Sequence, residues 1–401
     1  MSHFSVLVIG GNLEEQLQPY HEFESTGMDD QYVREIDKTE EAREKFAEDT
    51  TTRYKDPEGN LHDPFTPEGN WDSRFWRELT SKEQAKYGKT MFPEREPEPG
   101  LRLETCDWKD DSPLRKGYRT KAFAWPSDGW SEVKVPTATV ETFAEFCADY
   151  YGHPVVPFGM QPDLSKEHKY GYTIVDENGA VVKTIDRTNP NRKWDWYSVG
   201  GRWNGFFKLR PLAVGVIGKP GIQTMADDYE PPAKDRADIL TKGDIDVEGM
   251  RSEAGEKAAD RWDRFHAIIA GLPEPLTWEQ MQEKHRTGGI DKNGQPLVDW
   301  NATRKEFDAQ PAVEALRNSD GAEWEVGEYM VPREQYIQQN RDYAVGTFAV
   351  VKDGQWYERG RMGWWGTVFD EKDENEWTRQ FTELFDSLPD DTLLTVVDCH
   401  I

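Results

Sequence analysis

Fourteen consecutive residues, Trp194 to Phe207, hold six aromatic rings, three glycines and one arginine. Rings offer flat faces for stacking, glycines let backbone come close to a ligand, and a guanidinium is a forked cation matched to phosphate or carboxylate. Read as chemistry, Gly200 and Gly201 present backbone N–H groups to a phosphate, Arg202 clamps it, and Trp196 or Trp203 stacks on a base or ribose. Arg187, Arg192, Lys193, Lys208 and Arg210 add positive charge around the segment. The competing reading is a tight turn between strands, with rings buried and cations on its rim. The segment is neither a Walker loop, which needs Gly-Lys-Ser/Thr, nor a Gly-x-Gly-x-x-Gly dinucleotide loop.

Three further groupings could carry chemistry. In Arg359–Gly366, three glycines flank Arg361, Trp364 and Trp365, and this loop is expected to face the first segment across a cleft; a purely structural loop is the alternative. Asp244, Asp246 and Glu248 alternate, which on an extended strand places three carboxylates on one face, as in Asp-x-Asp sites for a divalent metal. The Gly-Ser or Gly-Gly turn such sites need about ten residues earlier is missing, and an acidic helix N-terminus accounts for the same residues. Finally, in the grouping of His3 with Asp398-Cys399-His400, antiparallel pairing of the first and last strands would bring His3 near Cys399 and His400, where a Cys–His nucleophile or a small metal site is geometrically open. Against it, Cys399 and His400 point to opposite faces of a strand. No His-Glu-x-x-His, Gly-x-Ser-x-Gly or zinc-finger spacing occurs.

The elements that must position these residues are partly legible. His3–Ile9 is apolar on both faces and predicts a central strand. Helices are expected at about 39–49, 71–86 and 137–151, the last capped by Thr139 and stopped by Gly152. Asn178-Gly179 between alternating runs predicts a hairpin of 170–175 with 180–185. Helices are expected over 246–269 and 278–286, then a strand at 344–351, a turn at Lys352-Asp353-Gly354 and a strand at 355–358. An amphipathic helix at 374–388 and a last strand at 392–400 complete the chain. The expected fold class is α+β, with a mixed or antiparallel sheet holding both terminal strands. Residues 1–11, 112–222 and 344–401 would form its core, 12–111 an acidic loop-rich insertion, and 223–343 a mainly helical acidic insertion or subdomain.

The chain has 401 residues and a net charge of −27, with 36% apolar and 31% charged residues. Sixteen Trp, 15 Tyr and 18 Phe offset the shortage of aliphatics, so the composition is that of a folded protein. The charge is uneven: residues 1–111 are net −13, 112–222 net +4, and 223–401 net −18. The total disfavours direct nucleic-acid binding and anionic membranes, while the basic middle leaves room for an anionic ligand. Cys106, Cys147 and Cys399 form no Cys-x-x-Cys pair or even framework. No apolar run suits a membrane span or leader, and a cytoplasmic protein is expected.

The opening Ser2-His3-Phe4-Ser5-Val6-Leu7-Val8-Ile9-Gly10, the central Tyr197-Ser198-Val199-Gly200-Gly201-Arg202-Trp203 and the ending Leu388-Pro389-Asp390-Asp391-Thr392 through Ile401 resemble a family of phage- and prophage-encoded proteins. The resemblance runs end to end and brings neither an activity nor site residues. It implies a mobile-element origin and the cytoplasm of a bacterial host, where such accessory proteins act on the host or its defences. Three functions are compatible with these residues. One is a counter-defence or host-takeover protein that binds a host protein through its acidic surface or a nucleotide-type ligand in its basic centre. Another is an enzyme on nucleotides or nucleic acid, with Arg202 and a possible divalent metal at Asp244 and Asp246. The last is an acidic DNA mimic, against which the basic centre and the many tryptophans argue.

Overall fold

The computed structural model describes residues 2–65, 77–78, 80–87, 102–106, 121–125, 129–221, 231–290, 296–319, 324–363 and 366–401. They divide into two compact units, Arg34–Thr188 and a second made of Met1–Val33 with Asn189–Ile401. The fold is α+β, and both terminal strands share one mixed sheet.

That sheet organises the second unit. The first strand, His3–Ile9, lies between the last strand, Leu393–His400, to which it is antiparallel, and Ala349–Lys352, to which it is parallel. Trp196–Gly201 adds antiparallel on the far side of the last strand, followed by Lys219–Pro220. Gln355–Glu358 closes the other edge through the turn at Asp353-Gly354, both residues at positive φ. Ile239–Thr241 also pairs with the last strand. The apolar runs of the two terminal strands are explained by burial on both faces. On one face Leu7, Ile9, Leu394 and Val396 pack under the helix Glu374–Asp386 through Trp377, Phe381 and Phe385. On the other, Phe4, Val6, Val8, Val397 and Cys399 pack with Leu17 and Trp194. A helical layer built on Val247–Ile269, with Pro311–Arg317 and Arg333–Asp342, has its own core around Phe265, Tyr329 and Tyr336.

The unit Arg34–Thr188 is built on a sheet in which Val181–Thr188 pairs with Gly171–Val175 on one side and Arg34–Asp37 on the other. The helices Thr39–Glu48 and Phe143–Tyr150 belong to it. Its core includes a polar patch: His153 Nδ1 lies 2.9 Å from Thr184 Oγ1, which is 3.0 Å from Thr173 Oγ1.

Several expectations shift. The unit boundaries fall at Arg34 and Thr188, so the hairpin of 171–188 joins strand 34–37 rather than the core sheet. Residues 12–33 belong to the sheet's unit instead, with Leu17 packed against its strands and Phe23 buried. The helices of 247–342 lie in the same unit as the sheet, with Met250 in its core. Composition reports acidic loops but not which strand pairs with which. The helix expected from 137 starts at Phe143, because Thr142 and Glu145 form a reciprocal capping box; Thr137–Thr139 is a 3₁₀ turn. The helix expected at 71–86 is described as Ser81–Tyr87, and 71–76 lie outside the described residues.

Candidate anion-binding cleft

Two loops of the second unit meet at a cleft of about 510 Å³. The first runs through Pro190–Lys193. Asn189 fixes it: its side-chain amide donates to the carbonyls of Pro19 and His21 at 2.9 and 2.8 Å, and its Oδ1 accepts from the Asn191 N–H at 3.0 Å. Lys193 N–H then donates to Tyr20 O at 2.7 Å. The second loop is the ribbon Arg361–Met362 paired with Val368–Phe369. Ser2 Oγ holds it by donating to Gly363 O and accepting from Gly366 N–H, both at 2.7 Å. At Gly363 a Cβ would sit 2.7 Å from the Phe369 ring, so any side chain there would push that ring aside.

Arg192, Lys193 and Arg361 supply three cations to the cleft, and Phe4, Met362 and Phe369 supply apolar wall. Lys193 Nζ lies 2.6 Å from Glu358 Oε1, and Glu358 Oε2 accepts from Trp356 Nε1 at 2.7 Å. That lysine is therefore placed by a fixed carboxylate. Arg361 is held loosely: its guanidinium is 3.7 Å from the exposed Asp370 and 4.9 Å from the Phe369 ring centre. An exposed ion pair of that length contributes about 0–1 kcal/mol, so a ligand anion competes for this guanidinium at little cost. Glu22 and Glu358 also line the cleft, so it is mixed in charge rather than uniformly basic.

Of the predicted site residues, Lys193 and Arg361 meet here, but the loop that faces Arg361 is Pro190–Lys193, and no residue of Trp194–Phe207 lines the cleft. Trp364 and Trp365 lie outside the described residues. Gly200, Gly201, Arg202, Trp196 and Trp203 are elsewhere. Trp203 packs against the sheet's core. Arg202 is exposed, and its backbone N–H donates to Asp398 Oδ2 at 3.0 Å. The glycine-rich turn does gather N–H groups around carboxylate oxygen, but the carboxylates are the protein's own. Asp238, fully buried, accepts from the N–H groups of Gly205, Phe206 and Gly218 at 2.7, 3.0 and 2.8 Å and from Asn204 Nδ2 at 2.9 Å. The donors of Asn204, Gly205, Phe206 and Gly218 are thus engaged by Asp238 rather than offered to a ligand. Nothing in the sequence around Asp238 announces that role.

Trp196 belongs to a polar patch at one end of the sheet, on the face whose other end is apolar. Register sets His3 and Trp196 on either side of His400, and Ser5 and Ser198 on either side of Asp398. His3 Nδ1 is 2.8 Å from Asp398 Oδ1, and His400 Nδ1 is 2.7 Å from Asp195 Oδ1. The Trp196 ring stacks on His400 at 4.9 Å. The expected closeness of His3 and His400 is thus present, with Asp398 and Asp195 added by the structure, but the Cys–His pair is not. Cys399 is fully buried on the opposite face, and burial, then Asp398 and Asp195, push its thiol well above the ordinary value. Asp195 was not singled out, although the pairing of its strand with the last one would have found it.

Asp244 and Asp246 do not share a face. Asp244 accepts from Thr241 Oγ1 at 2.7 Å, whereas Asp246 caps the helix Val247–Ile269 by accepting from Gly249 N–H at 3.0 Å. Glu248 pairs with Arg251. Among the described residues no three His, Cys, Asp or Glu side chains are placed to hold a metal ion. No helix among them is long and apolar enough to cross a membrane.

Comparison with family models, with curated proteins and with solved structures gave no match.

Proposed function

We propose that the protein acts by binding, and that its ligand is an anionic, phosphate-bearing small molecule of nucleotide type held in the cleft between Pro190–Lys193 and Arg361–Phe369. The convergence of Lys193, Arg192 and Arg361 beside an apolar wall carries this reading. The volume of about 510 Å³ falls in the usual range for small-molecule sites. Phe4, Met362 and Phe369 suit the apolar faces of a base, and the exposed guanidinium of Arg361 suits a phosphate. The sequence resemblance to phage proteins supports a counter-defence or host-takeover setting, in which sequestering a host nucleotide would be the effect. Calorimetric titration with adenosine and guanosine nucleotides tests the reading. Saturable binding that weakens in Arg361→Ala supports it, and no binding of any nucleotide by the folded protein overturns it.

One observation favours a second reading, an enzyme on such a ligand class whose site lies outside the cleft, on the opposite face of the sheet. Two histidines, each oriented by an aspartate through Nδ1, lie with ring centres 4.8 Å apart. An imidazole held in that way keeps Nε2 for proton transfer. Turnover of a bound nucleotide that is lost in both His3→Ala and His400→Ala would move the conclusion there.

A further inference from the structure

We infer a second binding site, separate from the anion cleft: an aromatic cage for a methylated ammonium group, walled by Trp278, Phe307 and Trp324 with Glu279 and Glu325 beside it. These residues line one cavity of about 270 Å³. That is small for a nucleotide and suits a compact head group. Its walls are rings, and ring faces attract cations through their quadrupole, most strongly when the cation is weakly hydrated, as a methylated ammonium is.

The rings are held in place before any ligand arrives. Trp278 opens the helix Trp278–Lys284, whose start is fixed by the Thr277–Gln280 capping box. It meets Phe307 edge to face, centres 5.2 Å apart and planes at 88°. Trp324 packs on Phe265 and Tyr329 at 5.9 and 5.3 Å, both of them buried. Trp324 already draws one cation, the Arg264 guanidinium 5.8 Å from its ring centre.

Charge supplies the second argument. Glu279 and Glu325 are exposed, and neither has a cationic partner among the described residues. Two uncompensated carboxylates beside three rings repel an anion and favour a cation. The same ammonium chemistry exists on free amines such as choline and on trimethylated lysine side chains, and the test separates the two.

The full chain is titrated with tetramethylammonium chloride, with choline and with a trimethyllysine peptide, read by calorimetry and tryptophan fluorescence. tert-Butanol serves as the neutral isostere. Saturable tetramethylammonium binding, roughly tenfold or more tighter than tert-butanol, is expected. Trp324→Ala should abolish it. Glu279→Gln combined with Glu325→Gln, both on the surface, should weaken it several-fold with the unfolding temperature unchanged. Tighter binding of choline than of the peptide assigns a free amine, and the reverse assigns a modified protein. Equal affinity for tert-butanol, no saturable tetramethylammonium binding, or unaltered affinity in the double variant overturns the cage. The probes are cations, so failure here leaves the anion cleft untouched, and failure there leaves this site standing.

Discussion

His3 Nδ1 lies 2.8 Å from Asp398 Oδ1, joining the first strand to the last across 395 positions. The other Asp398 oxygen accepts the Arg202 N–H, so one carboxylate, 1% exposed, ties the first and last strands to the turn that follows Trp196–Gly201. Truncating it leaves a partly buried imidazole and a backbone N–H without an acceptor. Asp398→Ala should lower the free energy of unfolding by roughly 2–4 kcal/mol in urea titration. His3→Ala should then cost less in the Asp398→Ala background than in the parent protein. Equal costs in both backgrounds would show that the two side chains are not coupled.

Gly201 offers a second test, because two penalties coincide there. Its φ is +55°, and a Cβ would sit 2.2 Å from the Asp398 Cβ. Gly152 has φ +67° but open space around it. Gly152→Ala should therefore cost only backbone strain, about 1 kcal/mol, whereas Gly201→Ala should cost about 2–4 kcal/mol. Similar melting temperatures for the two variants would mean that the strand relaxes away from Asp398.

At the cleft, Arg361→Ala should leave thermal unfolding unchanged, since its side chain is 60% exposed and its ion pair is long. Nucleotide affinity should fall about three- to tenfold, the usual scale for one charge-assisted contact. Lys193→Ala should reduce affinity by a similar factor and also destabilise the fold, because Glu358 loses its partner at 2.6 Å. Calorimetry with a parallel melting curve separates the two effects. Undiminished nucleotide affinity in both variants would remove these side chains from the binding site.

Acid sensitivity has a specific source at Glu253. Burial alone pushes its carboxyl up, but Lys208 and Arg236 outweigh burial and hold it below the ordinary 4.5. Lys208 Nζ is 2.5 Å away, and Arg236 also donates to it. A lowered carboxylate contributes stability that is complete above its unfolded value and is lost as pH falls through the folded one. At this partly exposed site the contribution is about 1 kcal/mol. Glu253→Gln should be less stable than the parent at neutral pH, and the difference should shrink as pH drops below 4.5. A pH-independent gap in urea titrations would trace the effect to packing.

What was legible in the sequence followed periodicity. The two terminal strands, the Asn178-Gly179 hairpin and the amphipathic helix ending at Asp386 each carry their pattern within a short window. Pairing of His3 with His400 followed once those strands were placed in one sheet. The glycine-rich turn misled because Gly200 and Gly201 look alike whether the approaching oxygen belongs to a ligand or to Asp238 and Asp398. Those partners lie some distance along the chain, at positions with no local signature. The division at Arg34 and Thr188 stayed hidden for the same reason: Arg34–Asp37 finds its partner in Ile185–Thr188, and composition does not record pairing. The cage of Trp278, Phe307 and Trp324 needs two helices and the segment before Val326 to come together before its rings meet, so no window of sequence contains it.

Because the first strand is flanked by Ala349–Lys352 and Leu393–His400, its hydrogen-bonding partners are made last. During synthesis Phe4, Val6 and Val8 emerge from the ribosome long before the two strands that flank theirs. Arg34–Thr188, contiguous in sequence, can complete its own sheet in the meantime. Nascent chains halted before residue 349 should therefore carry one finished unit and one sticky, unpaired apolar strand, the kind of segment that chaperones capture.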